Sequence, residues 1–236
     1  MSFANNIMNA DMGSDSGGLS GPFLDYKSSG SALHGIKPMG WALREKDEAG
    51  NATVTDRTTD LAQGIVLDLD SLKFGWEKDN PTGGPSREWA PDLNLAAFPR
   101  PDNSTRVHQK TGKNVPAWSE VFAIRVGLPD GTAATWSQCS FGTWQAMKAI
   151  IANVQAEYTA NAGKLPVVAV TGHVPDYGSN IPTMPVLRWV DRPAFLGDAP
   201  NPVNMETQPV AETPKVAATP PPPAATPEVA AAASAF

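Results

Sequence analysis

The stretch EVFAIRVGLPDGTAATWSQCSF (residues 120–141) decides the fold class. Phe122, Ile124 and Val126 alternate with Val121, Ala123 and Arg125, the period of two that a strand imposes. Pro129-Asp130-Gly131 then interrupts the pattern, and Asp-Gly between two apolar runs signals a hairpin, because Gly accepts the positive φ that such turns need. Ala133–Phe141 returns as the second strand.

Working outward, Gly64–Leu72 (GIVLDLDSL) sets Ile65, Leu67 and Leu69 on one face and Val66, Asp68 and Asp70 on the other. Val167–Gly172 is a short apolar run, and Met184–Asp191 (MPVLRWVD) reads as a strand whose Pro185 suits a strand end or edge. Ile36–Lys46 is a sixth candidate. One helix is predicted from an N-cap at Thr143 to a stop near Gly163, with Trp144, Met147, Ile151, Val154 and Tyr158 at helical spacing. Five strands with one helix between the third and fourth is the connectivity of the OB-fold, a five-stranded Greek-key β-barrel. The same string also fits an open α+β sheet with one covering helix.

The chain has 236 residues, 41% hydrophobic and 18% charged, with 23 Pro and 20 Gly, a composition of loop-rich β structure. A net charge of −6 excludes nucleic-acid binding by bulk charge and leaves room only for a local basic groove. The single cysteine, Cys139, excludes an intramolecular disulfide framework and a Cys-based zinc site, and is read as a small core residue on a strand. It fits a reducing, cytoplasmic location. No apolar run is long enough to span a membrane, and the N-terminus lacks the pattern of a secretory signal.

Three regions follow. Residues 1–20 are a flexible Ser/Gly/Asn-rich lead-in. Residues 21–196 form the folded domain, with a long insertion at about 77–117. Residues 197–236 hold nine prolines and eleven alanines and read as a disordered tail, unable to bury enough apolar surface to offset its ordering entropy.

The functional signal is aromatic rings interleaved with bases. Phe74, Trp76, Trp89 and Phe98 accompany Lys73, Lys78 and Arg87. The stretch 96–114 adds Arg100, Arg106, Lys110 and Lys113 against the single acid Asp102. Trp136 and Arg125 lie on the predicted strands. Every nucleobase has a π-face and every nucleotide a charge, so rings alternating with cations suit a single strand regardless of its sequence. The expectation is that Phe74, Trp76, Trp89, Phe98 and Trp136 stack on bases. Lys73, Lys78, Arg87, Arg100, Arg106, Lys110, Lys113 and Arg125 then neutralise phosphates.

GIVLDLDSLKFGW (64–76), WSQCSFGTWQAM (136–147), LPVVAVTG (165–172) and MPVLRWVDRPAFL (184–196) together resemble the single-stranded DNA-binding proteins of tailed bacteriophages. The resemblance implies an OB-fold core, sequence-tolerant binding of single strands in replication or recombination, and a C-terminal tail that recruits replication partners. In related bacterial proteins that tail ends in an acidic run capped by an aromatic residue. Here it ends in Phe236, and residues 231–235 carry no acid.

Two other classes compete. Asp68 and Asp70 share a strand face and are the pair a Mg²⁺-dependent nuclease needs, although an outward polar face reads the same way. A β-rich body with a Pro/Ala-rich stalk also describes a virion structural or decoration protein. No motif places a cofactor or a metal, and His34, His108 and His173 are scattered. The expectation is therefore a non-enzymatic binder.

Overall fold

The computed structural model describes residues 21–80, 85–108, 112–176 and 179–198. The lead-in over 1–20, Lys110 and the tail beyond Asp198 lie outside the described residues. Among the described residues the chain is mostly β with one α-helix, as its patterning predicts. Among the described residues no helix is long and apolar enough to cross a membrane.

The expected hairpin is β8 (Trp118–Gly127) and β9 (Ala133–Gln138), paired antiparallel. Its turn is built as the sequence asks. Gly131 has φ 86°, its N–H donates to the Leu128 carbonyl (3.0 Å), and the Thr132 N–H donates to the Asp130 carboxylate (2.9 Å). Val121, Phe122, Ala123, Ile124 and Val126 are all buried, so both faces of β8 lie in the interior.

The strand expected at 64–72 runs on as β4 (Ile65–Lys78). It pairs β8 in two registers, Val66↔Gly127 to Asp68↔Arg125 and then Lys73↔Ala123 to Lys78↔Trp118. Residues 69–72 are left over between them, a bulge that breaks the expected alternation and bends the strand. Ser71 repairs the ladder there: its hydroxyl accepts from the Arg125 N–H and donates to the Asp68 carbonyl, both at 2.7 Å.

The bend lets β4 serve three neighbours. It meets β10 (Leu165–Val168) at Ile65 and Val66, β8 along its length, and β5 (Ser86–Trp89) from Gly75 to Lys78. Gly75 is required at the last contact, since a Cβ there would lie 2.2 Å from the Glu88 carbonyl oxygen.

β13 (Val186–Val190) pairs β10, so the five strands named from the sequence lie in the order β13-β10-β4-β8-β9. The far edge of β9 is taken by β1 (Phe23–Lys27), in parallel at Phe23↔Thr135 and Leu24↔Trp136. β1 leads through β2 (Gly40–Lys46) to β3 (Ala52–Asp56). The sequence reading assigns no strand to 23–27 or 52–56, and its candidate at 36–46 is the middle strand of this meander. Among the described residues no pairing joins β13 to β9 or to β3, so backbone pairing leaves the sheet open. Gln138 secures the parallel seam: its side-chain oxygen accepts from the Tyr26 N–H (3.0 Å) and the Trp136 indole (2.8 Å), and its amide donates to the Tyr26 carbonyl (2.8 Å).

Helix α1 (Phe141–Glu157) begins ahead of the expected cap. Ser140 takes the cap position, with its hydroxyl 2.5 Å from that of Thr143. Trp144, Met147, Ile150 and Val154 are buried, while Ile151 and Tyr158 pack at the margin. Gly163 (φ 77°) lies beyond a further 3₁₀ turn rather than at the helix end. A hairpin of β11 (Gly172–Asp176) and β12 (Ser179–Thr183) links the helix to the meander. The Asn180 carbonyl lies against Gly142 of α1, and His173 stacks on Tyr26 and hydrogen-bonds its hydroxyl.

Burial pushes the Tyr26 hydroxyl up to about 12. A raised folded-state value means that the folded chain holds its proton where the unfolded chain, near 10, has lost it. The associated stability is complete below pH 10 and is lost between pH 10 and about 12. Wild type should therefore lose about 2–3 kcal/mol more than Tyr26→Phe across that window, read from urea midpoints at each pH. Equal slopes for the two proteins would refute the assignment.

Candidate nucleic-acid interface

Strand alternation sorts the candidate residues. From Lys73 to Lys78 the register is regular, so Phe74, Trp76 and Lys78 share one face of β4, and Lys73, Gly75 and Glu77 the other. Residues directly opposite share a face, which adds Phe122 to the first set and Ala123, Arg87 and Trp89 to the second.

The first face is the core. Phe74 meets Trp144 edge-to-face (5.1 Å, 71°) and is buried. Trp136 is fully buried between Phe122 (5.0 Å, 90°) and Trp41 (5.2 Å, 75°). Neither ring offers a face to a base, which corrects the stacking role expected for both. Trp76 is 9% exposed. Its indole N–H donates to the Phe98 carbonyl (3.0 Å), and Arg100 lies over its ring at 5.1 Å from the centroid. The expected direct stacking on Trp76 is thus blocked by a residue of the insertion. Trp118 and Trp144 are also buried, and Trp189 is half-buried with its indole donating to Glu157 (2.8 Å).

Three of the predicted cations are already engaged. Arg87 pairs with Glu77 (2.7 Å). Lys78 donates to the Ser104 hydroxyl (3.0 Å), lies 3.5 Å from Asp102 and sits over the Trp118 ring (5.6 Å). Hydrogen bonds from Ser104 hold the Asp102 carboxyl well below the usual carboxylate range. Arg125 is bound to Asp68. These three neutralise local acids in the folded chain, so the phosphate role expected of them is not available as they stand.

What remains is the insertion and one side of β4. Lys73, Arg100, Arg106 and Lys113 are exposed, and Trp89 and Phe98 are half-buried. Among the described residues none of Lys73, Arg100 and Arg106 enters an ion pair. A second hairpin, β6 (Thr105–Val107) and β7 (Asn114–Pro116), pairs Arg106 with Val115, and the His108 N–H extends the ladder to the Lys113 carbonyl (2.8 Å). That register puts Arg106, His108 and Lys113 on one face of the hairpin. Lys73 and Trp89 lie on the face of β4 opposite to Phe74 and Trp76, so the residues foreseen as a single strip are carried by different elements and faces.

The sequence reading missed the polar cluster at the bulge. Asp68 is fully buried rather than outward-facing. It accepts from Arg125 Nε (2.7 Å) and from Arg192 Nη2 (2.6 Å), which also reaches Asp70 (2.6 Å). Arg125 Nη2 donates onward to the Asp198 carbonyl (3.0 Å). The hydrogen bond to Asp68 raises Arg192 above the ordinary arginine value. Both carboxylates of the proposed nuclease pair are thus committed to arginines, and among the described residues no group of three or more His, Cys, Asp or Glu could hold a metal ion. Cys139 falls just past β9 and is exposed, not core. Arg192, four residues before a buried Leu196, was the available signal for this cluster.

Comparison with protein-family models, with curated proteins and with solved structures finds no match.

Removing the shared acid leaves two guanidinium groups facing a neutral amide. Asp68→Asn should cost about 3–5 kcal/mol in urea unfolding, whereas Asp70→Asn, at the partly exposed rim of the cluster, should cost less than about 1 kcal/mol. Similar losses for the two variants would contradict this division.

Proposed function

We propose that the chain binds single-stranded DNA with little regard to sequence, on an OB-type Greek-key framework, protecting single strands during phage replication or recombination. The pairing order carries this reading. β4, β8 and β9 lie side by side and follow one another in the chain once the short insertion strands β5, β6 and β7 are set aside, and β10 returns after α1 to lie beside β4. That is the order 4-1-2-3 of a Greek key, and β13 adds the fifth strand beside the fourth. In OB-folds, oligonucleotides bind on the face of the second and third strands and on the loops after the first and the fourth.

Here the loop after the first strand is the insertion with Arg100, Arg106 and Lys113, and the loop after the fourth is the β11–β12 hairpin. The buried rings support the framework, and the exposed cations of the insertion supply the attraction. Lys73 and half-buried Trp89 extend the surface along the first strand. An acidic chain with this one cation-rich excursion holds a strand locally and repels it elsewhere.

Titrating the full chain with poly-dT at two salt concentrations tests the reading. Binding should weaken with salt, and Arg106→Ala and Lys113→Ala should each reduce the slope of log affinity against log salt by about 0.7. Labelled strands should stay intact with Mg²⁺. No binding at low salt, or cleavage of the label, would reject the proposal.

A further inference from the structure

Arg100 differs from the other cations of the insertion in how it is held. Its guanidinium carbon lies 5.1 Å from the centre of the Trp76 ring, within the range of cation–π attraction. Trp76 is itself fixed, because its N–H is bound to the carbonyl of Phe98, two residues before Arg100. Pro99 and Pro101 flank the arginine, and each proline restricts its own φ and the residue before it. Immediately downstream, the Ser104 N–H donates to the Asp102 carboxylate (2.8 Å) and closes the next turn. The side chain is exposed, and among the described residues no hydrogen bond or ion pair claims it.

From these observations we infer that Arg100 is a stacking platform: a nucleobase lies on the outer face of its guanidinium, with Trp76 backing the inner face. This rests on the single-strand reading above and gives Arg100 a role different from phosphate neutralisation. A guanidinium is planar and weakly hydrated, and bases stack on such planes as they do on aromatic rings. A free arginine loses rotamer freedom when it does so. Arg100 has already lost part of that freedom to Trp76, and the two prolines restrict the backbone that carries it, so the ligand need not supply that ordering. The buried Trp76 therefore acts as a positioning residue behind the surface, which accounts for an indole aimed at the insertion yet covered by it.

Arg100→Lys keeps the charge and removes the plane. The test measures binding of the full-length wild type and Arg100→Lys to labelled oligo-dT and to an abasic strand of equal length. Thermal melts check that the exposed substitution leaves the fold intact. Arg100→Lys should bind dT about tenfold more weakly, a stack of ordinary strength, with an unchanged salt slope and no loss on the abasic strand. Wild-type affinity of the variant for dT, or an equal loss on both strands, would overturn the stacking role while leaving the single-strand reading in place. Failure of the wild type to bind dT at all would overturn both.

Discussion

Trp136 is the point at which the two parts of the sheet are held together. Its backbone pairs with Ile124 of β8 on one side and Leu24 of β1 on the other. Its ring sits edge-to-face between Phe122 and Trp41, and its N–H shares the Gln138 oxygen with the Tyr26 backbone. The contacts continue as a row of rings, from Trp41 to Tyr26 (5.3 Å) on one side and from Phe122 to Trp144 (6.2 Å) on the other. Edge-to-face pairs contribute about 0.5–1.5 kcal/mol each beyond their burial. The parallel seam has only two paired positions, so these side chains do much of the joining.

The elements with strong local signals were legible. The β8–β9 hairpin announces itself through Asp130-Gly131, and α1 through Trp144, Met147 and Val154 at one helical face. The meander was not, for a physical reason: β1 (FLDYK) and β3 (ATVTD) are short, and β3 is a partly exposed edge whose apolar periodicity is weak. β1 is buried over most of its length among distant partners, with β9 paired at Phe23 and Leu24 and His173 stacked on Tyr26, and no local pattern encodes partners so remote.

The candidate site was legible in composition and not in direction. Interleaved rings and bases are present at 73–113, but a strand turns successive side chains to opposite sides, so adjacent letters such as Lys73 and Phe74 end up on different faces. Asp68 shows the complementary failure. Its alternation reads as an outward polar face, yet Arg192 and the Asp198 backbone return to this cluster and the carboxylate is buried. A one-dimensional pattern predicts the face and cannot say what later covers it.

The pairing of β1 with β9 also constrains how the polypeptide matures. The Tyr26 N–H finds its side-chain acceptor 112 positions downstream. As the ribosome extrudes the chain, the first three strands emerge well before the edge on which they must settle. Until then they form a thin ribbon, marginal by itself in water, with Leu24 and Tyr26 uncovered. Such distant closure is slow compared with hairpin formation, so the newborn N-terminal segment passes through an adhesive stage that ends when residues 133–138 arrive.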